Sequence, residues 1–175
     1  LDLLNYEIIK QHPKMVIGYS DITALHMALI KKADLVPVHG AMVIDINDNG
    51  YNYTDNQLKL GLENESLGAN NEFVLPSNHK LKVLKEGYAK GKIIGGNLSV
   101  LASLSGSEYQ PNGENCILFI EEVGEDSYVI DRCFQQLWQS GVLKQVKGLI
   151  IGNMRRCEPT EPTQFDYSVM QVIKQ

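Results

Sequence analysis

The chain has 175 residues, which is enough for one ordinary domain or for parts of two. Its 43% apolar and 21% charged residues are typical of a soluble globular protein and exclude disordered, collagenous and membrane-spanning compositions. A net charge of -5 excludes the clustered basic surface that nucleic acids and anionic membranes require, so we expect neither as a partner.

The cysteines and the start of the chain indicate the compartment. Three widely spaced cysteines without a C-x-x-C pair predict no disulfide framework. No segment resembles a signal peptide, which predicts a cytoplasmic protein. Because the chain starts at Leu1 rather than Met, we expect its natural N-terminus to lie upstream.

The first half of the sequence alternates between strand and helix patterns. Residues 14–19 form a short apolar run behind a proline and predict a strand. Apolar residues at helical spacing follow, and this helix is predicted to end near Lys31 and Lys32, whose charges suit its carboxyl end. Residues 35–39 predict another strand. Residues 45–78 are polar with little periodicity, which indicates a surface excursion or a connection that contains a domain boundary.

The second half returns to the same alternation and predicts an α/β fold. Its predicted elements are a strand-like run from residue 92 leading into a helix, a strand at 116–120 ending at Glu121 and Glu122, a helix at 131–140 stopped by Gly141, a strand at 146–151 and a helix at 165–175. We expect an incomplete two-domain architecture, with a Rossmann-like N-terminal portion at 1–66, a connection at 67–91 and a β/α C-terminal portion at 92–175.

Ser20 lies where the first predicted strand meets the first helix, in the segment Gly18-Tyr19-Ser20-Asp21. A serine at such a junction is exposed at the carboxyl edge of the sheet, and the first amides of the helix can stabilise an oxyanion. This pattern is typical of a nucleophile, although Ile22 replaces the second glycine of G-x-S-x-G. The alternative is a helix N-cap whose hydroxyl accepts from the next turn, and local sequence alone favours that alternative.

Glu121 follows an apolar strand, a position from which a carboxylate can orient a histidine that acts as general base. The alternative is a solvated strand end, which local sequence favours. The candidates for the base are His12, His26, His39 and His79. His39, at a strand end, is the best placed of them, but a structural hydrogen-bonding role is the simpler interpretation. No His or Cys spacing predicts a metal site.

Two further segments carry weaker signals. The glycine-rich residues 91–96 enter a helix, so they either bring the backbone close to a substrate, with Gly96 and Asn97 as binding residues, or form a tight turn between domains. Residues 77–80 match the S-x-x-K signature of penicillin-recognising serine enzymes, but the K-T-G and S-D-N motifs that accompany it are absent.

Five stretches together resemble the LD-carboxypeptidase family, which includes the microcin C immunity peptidases. They are PKMVIGYSDITAL at 13–25, VHG at 38–40, GGNLSVLASLSGSEY at 95–109, ILFIEEVGEDSYVIDR at 117–132 and residues 148–152. They follow the family's order with similar gaps and touch most of the chain, so the match is specific as a set.

The resemblance implies a two-domain hydrolase with a Ser-His-Glu triad. In this sequence Ser20 is the implied nucleophile, Glu121 the implied carboxylate that orients the histidine, and the backbone amide of Asp21 an implied oxyanion donor. The implied substrate is a cell-wall tetrapeptide that loses its terminal D-alanine during murein recycling. The implied protein is a cytoplasmic homodimer that needs neither a metal nor another cofactor.

One member of the triad has no counterpart here. The family's histidine lies in a G-H segment beyond the position of Gln175, and its first β/α units precede Leu1, so we expect an excerpt with little or no peptidase activity alone. Two other functions stay open. One is an immunity peptidase that cleaves an aminoacyl-nucleotide amide with the same Ser20 and Glu121, and the other is a non-catalytic module that binds peptides.

Overall fold

The computed structural model describes residues 1–46, 53–63, 81–159, 161, 163 and 166–175. Contacts between residues divide the chain into two compact units, of which one comprises Leu1–His39 with Gly87–Gln175 and the other Gly40–Glu86. The predicted boundary between residues 66 and 67 lies outside the described residues, and the three domain limits stay a prediction.

Helices and strands alternate along most of the described chain. In order they are α1 (Tyr6–Gln11), β1 (Ile17–Gly18), α2 (Ile22–Ala28), β2 (Val38–His39), α3 (Tyr53–Glu63), β3 (Lys92–Asn97), α4 (Leu98–Ser103), β4 (Cys116–Val123), α5 (Ser127–Gln139), α6 (Val142–Gln145), β5 (Gly148–Arg155) and α7 (Val169–Ile173). A π-helical turn at Leu29–Ala33 continues α2, and a 3-10 turn at Val43–Asp45 precedes α3.

The strands form two parallel sheets within the larger unit. β1 pairs with β2, and β3, β4 and β5 form a three-stranded sheet in that order. Parallel strands joined by helices confirm the predicted α/β class. Because ligand sites in such folds lie at the carboxyl ends of the strands, we expect the functional residues at the carboxyl ends of β1 to β4.

The core lies on one face of the three-stranded sheet. Alternate residues of β4, including Leu118 and Ile120 at 0% exposure, point toward this face, whereas Phe119 and Glu121 are half-buried on the other. The buried face packs against helical residues that are themselves fully enclosed, namely Leu98, Leu101, Ile130 and Leu137. The helices therefore cover one side of the sheet and leave Glu121 on the opposite side.

Several predicted elements differ in their limits. β4 continues through Glu121 and Glu122 to Val123, so neither glutamate is a solvated strand end. Of the two interpretations of residues 91–96, the tight turn between domains is wrong, because β3 runs from Lys92 through these residues and pairs with β4 along its whole length. The polar region 45–78 contains the helix α3, which its weak periodicity did not predict.

The last described helix is short, and it begins later in the chain than the sequence predicts. The last helix begins at Val169, where Ser168 forms a capping box with Gln171, and not at residue 165, which lies outside the described residues. Among the described residues, no helix is long and apolar enough to cross a membrane.

Candidate active site

Ser20 occupies a strained turn between β1 and α2. Its φ is 59°, in the left-handed region that residues with a Cβ rarely adopt. The side chain is exposed, and its hydroxyl has no hydrogen-bond partner among the residues that the structure describes. A strained backbone that presents an exposed serine at a strand-to-helix turn is the geometry of a nucleophile elbow.

The backbone amides of this turn contradict the capping interpretation of Ser20. The N–H groups of Ile22 and Thr23 donate to the carbonyls of Tyr19 and Ser20 at 3.2 and 2.9 Å, and α2 has no side-chain cap. The hydroxyl of Ser20 is therefore not used to begin the helix. The N–H of Asp21 is absent from the backbone hydrogen bonds of the described residues, which leaves it available as the predicted oxyanion donor.

Ile22, which stands where the motif G-x-S-x-G has its second glycine, packs against Gly18. A Cβ on Gly18 would lie 2.9 Å from Cγ2 of Ile22, closer than real Cβ contacts allow. Ile22 thus lies over Gly18, and its side chain leaves no room for a Cβ at position 18.

His39 contacts Glu121. The parallel register of β1 and β2 pairs His39 with Gly18, two residues before Ser20. The imidazole lies edge-on to the ring of Phe119 with 5.4 Å between centroids, and its Nε2 is 3.8 Å from Oε1 of Glu121. The sequence identified both residues as candidates but did not predict that they meet.

The ionisation of this pair is set mainly by burial. Burial lowers the pKa of His39 below its usual value, which favours the neutral imidazole. Burial raises the pKa of Glu121, the adjacent Glu122 carboxylate raises it further, and the amide of Asn97 opposes these effects to a lesser degree. At 3.8 Å the pair is too far apart for a hydrogen bond, and both Oε1 of Glu121 and Nδ1 of His39 are buried without a partner in the described part of the chain. Oε1 of Glu121 can therefore still accept a hydrogen bond.

Glu121 lies at a β-bulge between β4 and β5. The β4–β5 register passes from Ile120 with Ile151 to Glu122 with Met154, so two residues of β5 lie opposite Glu121 alone. One of them is Gly152, whose Cβ would lie 3.3 Å from Cβ of Glu121. Bulges of this kind redirect a side chain, and they are common beside active sites.

Gly96 and Asn97 end β3 beside Glu121, with Asn97 paired to it in register. The close backbone approach at Gly96, whose φ is 147°, is to Thr23 of α2, because a Cβ there would lie 2.4 Å from Oγ1. Asn97 is buried, and its amide nitrogen donates to Glu122 at 2.7 Å. Contact of Gly96 and Asn97 with a substrate stays a prediction.

The remaining candidates lie elsewhere. His26 is buried on α2 with Nε2 unpaired among the described residues, and burial, followed by the proximity of His39, lowers its pKa to about 4. His12 is exposed at the end of α1, and His79, like the S-x-x-K segment, lies outside the described residues. No group of three metal-binding side chains occurs within the described ranges.

The sequence analysis did not single out Glu122 as a functional residue, because its burial becomes visible only in the three-dimensional packing.

Comparison with known proteins gives a consistent family. The LD-carboxypeptidase N-terminal domain model matches residues 1–40, and the LD-carboxypeptidase C-terminal domain model matches residues 90–175. A probable murein peptide carboxypeptidase of Bacillus subtilis is 35% identical over 98% of this chain and 52% of the relative. The microcin C7 self-immunity protein MccF of Escherichia coli is 30% identical over 99% of this chain and 57% of its own length.

A solved structure agrees with these sequence matches. Muramoyltetrapeptide carboxypeptidase from Oxalobacter formigenes has a TM-score of 0.73 at 25% identity, covering 99% of this chain and 57% of that structure. The chain spans about half the length of the curated relatives it matches. On the two domain models and these relatives, the chain belongs to the LD-carboxypeptidase family.

Proposed function

We propose that this chain supplies the nucleophile and the acidic member of a serine carboxypeptidase that cleaves L,D-amide bonds. The substrate is a murein tetrapeptide, and the product is its terminal D-alanine, released in the cytoplasm by a homodimer during peptidoglycan recycling. The support is family membership together with the name of the Bacillus relative. Neither nucleic acid nor a membrane takes part.

The proposed reaction uses one group from each of three residues of this chain, namely Ser20, Asp21 and Glu121. Oγ of Ser20 attacks the scissile carbonyl while a histidine takes the hydroxyl proton, and the N–H of Asp21 donates to the oxyanion that forms. The C–N bond then breaks as the histidine returns the proton to the leaving amine. Water, deprotonated by the same histidine, hydrolyses the acyl-serine and restores Ser20.

Glu121 orients that histidine by accepting its other N–H. Among the described residues Oε1 of this carboxylate has no hydrogen-bond partner, and the side chain is largely shielded from water. A partly desolvated carboxylate strengthens its interaction with an imidazolium, which forms when the serine proton is transferred.

The observation that carries the proposal is the left-handed φ of 59° at Ser20, together with an exposed hydroxyl that has no hydrogen-bond partner in the part of the chain that the structure describes. A structural serine has no need of this strain, whereas a nucleophile elbow depends on it. The test is Ser20→Ala in the natural protein that carries this sequence, with release of D-alanine from murein tetrapeptide as the readout. We expect kcat to fall by at least about 1,000-fold.

A matched control is Ser103→Ala, which removes another exposed hydroxyl from the described chain and should leave the rate unchanged. Equal rates for the Ser20→Ala variant and the unaltered protein would contradict the assignment of the nucleophile. Peptide binding without turnover in the unaltered protein would instead support a non-catalytic module.

The likeness to MccF supports a second function, that of an immunity peptidase that cleaves an aminoacyl-nucleotide amide with the same residues. The two functions share Ser20 and Glu121 and differ in the group beyond the scissile bond. Turnover of a peptide-nucleotide amide at a higher kcat/KM than murein tetrapeptide would favour the immunity function.

A further inference from the structure

Glu122 lies next to Glu121 but on the opposite face of β4. Successive side chains of a strand point to opposite faces, and Glu122 is on the helix-covered side with 3% of its surface exposed. A carboxylate in this position is costly unless hydrogen bonds replace its water. Its presence in the core therefore needs an explanation.

Three N–H groups satisfy the Glu122 carboxylate. Oε1 accepts from Nδ2 of Asn97 at 2.7 Å and from the N–H of Val123 at 2.8 Å, and Oε2 accepts from the N–H of Ser99 at 2.8 Å. No lysine or arginine forms a salt bridge with it among the described residues. Donors of this number and geometry replace the water that the carboxylate loses on burial.

Asn97 extends this network to the turn that carries Ser20. Its backbone N–H donates to Oγ1 of Thr23 at 3.0 Å, and the N–H of Thr23 donates to the carbonyl of Ser20 at 2.9 Å. Thr23 and Asn97 are both buried, so these bonds are shielded from water. A continuous path of hydrogen bonds thus runs from Ser20 to the residue beside Glu121.

We propose that Glu122 is a positioning residue, which holds the Ser20 turn in register with Glu121 through Asn97 and Thr23 and places a fixed negative charge beside Glu121. The inference rests on the proposed function, since it assigns Glu122 a role in the same reaction. Glu122 itself acts through its neighbours and touches no reacting atom.

The fixed charge gives the proposal a signature that a purely structural role lacks. Glu121 faces His39 from β2, Asn97 from β3 and Gly152 from β5, and Glu122 adjoins it on its own strand. Removing the negative charge of Glu122 removes a repulsion, so the carboxyl of Glu121 should titrate at lower pH. Looser packing around Glu121 would move that titration in the same direction, because burial raises its pKa, so the unchanged midpoint expected in Thr23→Val, which keeps the charge of Glu122, distinguishes the two causes.

The first experiment follows the side-chain carboxyl of Glu121 by carbon-13 NMR across pH in the natural protein that carries this sequence, without substrate. Glu122→Gln should shift the midpoint downward. Glu114→Gln is the matched control, because it makes the same chemical change at an exposed site at the other end of β4 and should leave the midpoint in place. An unchanged or raised midpoint in Glu122→Gln overturns the electrostatic part of the proposal.

The second experiment separates positioning from charge. Thr23→Val removes the hydroxyl that accepts from Asn97 but keeps the side-chain shape and the charge of Glu122. It should lower kcat/KM for murein tetrapeptide by about tenfold or more in the natural protein, chiefly through kcat, and leave the Glu121 midpoint unchanged. Full activity in Thr23→Val overturns the positioning part.

The two proposals fail in different ways. If Ser20→Ala retains full activity, the proposed function is wrong whatever the NMR titration shows. If Ser20→Ala is inactive while Glu122→Gln and Thr23→Val match the unaltered protein, the serine mechanism stands and the role of Glu122 is wrong. If Glu122→Gln does not fold, Glu122→Asp replaces it: the negative charge is kept, so the Glu121 midpoint should stay close to that of the unaltered protein, and a shifted midpoint overturns the electrostatic part.

Discussion

Replacement of Gly96 by alanine tests whether the end of β3 is fitted closely to α2. The new Cβ would lie 2.4 Å from Oγ1 and 2.8 Å from Cγ2 of Thr23, which is fully buried and has no room to move. The backbone φ of 147° adds a conformational penalty of about 1–3 kcal/mol for any residue with a Cβ. Overpacking adds about 1–3 kcal/mol, so the free energy of unfolding should fall by about 2–6 kcal/mol.

The matched control is Gly106→Ala. Gly106 also has a positive φ, 82°, but a Cβ there would meet no atom within 4 Å. Gly106→Ala therefore carries the backbone penalty without the steric clash. The difference between the two variants in the free energy of unfolding by urea measures the clash between residue 96 and Thr23. The reasoning is refuted if the two substitutions destabilise the protein equally.

A double-mutant cycle gives a sharper form of the same prediction. Thr23→Ala alone should cost about 1–3 kcal/mol, because the buried N–H of Asn97 loses its acceptor. Combined with Gly96→Ala, it removes the two closest atoms and leaves only Cβ of residue 23 at 3.1 Å. The double variant should therefore be more stable than the sum of the single effects, by about 1 kcal/mol or more. Simple additivity would exclude the proposed contact.

Three further predictions concern the strained serine, a buried histidine and the bulge. Ser20→Gly should be more stable than Ser20→Ala by about 0.5–1 kcal/mol in urea unfolding, because only glycine relieves the φ of 59°; equal stabilities would contradict the strain. His26 has a pKa of about 4 when folded and 6.5 when unfolded, so the unfolded state binds the extra proton and stability falls as pH drops below about 7. The loss at pH 5 should be about 2 kcal/mol smaller in His26→Gln than in the unaltered chain, and parallel pH curves would argue against this. Gly152→Ala should lower kcat while changing the free energy of unfolding little, because its Cβ would lie 3.3 Å from Glu121 and 3.1 Å from the Phe119 ring and would displace both side chains. An unchanged kcat would show that the bulge tolerates the methyl group.

Much of the fold was predictable because its strands are short apolar runs with clear boundaries. The strand at 116–120 is a continuous apolar run of strand length, and the helix that follows Asn97 has apolar residues at helical spacing. The helix α3 was not predictable in this way, because its apolar residues do not recur on one face. Strand ends are also poorly marked, since β4 continues through two glutamates that sequence alone favours at a solvated end.

The site was predictable in its chemistry but not in its contacts. The turn at Ser20 follows from a local sequence pattern, whereas the contact between His39 and Glu121 depends on the packing of β2 near β4, strands of two different sheets about 80 residues apart in the chain, which no local pattern specifies. Alternation places Glu121 and Glu122 on opposite faces, but which face is covered depends on the packing of α4 and α5. Glu122 therefore emerged only from the three-dimensional arrangement.

Covalent labelling of Ser20 is the most direct test of the central claim. The natural protein that carries this sequence should be treated with a serine-reactive fluorophosphonate, digested with trypsin and analysed by mass spectrometry. The tryptic peptide 15–31 contains no serine other than Ser20, and fragmentation of this peptide distinguishes a label on Ser20 from one on Tyr19 or Thr23. We predict that this peptide is labelled as D-alanine release is lost. Loss of that activity with label on another residue, or full activity with Ser20 labelled, would contradict the assignment of Ser20 as the nucleophile.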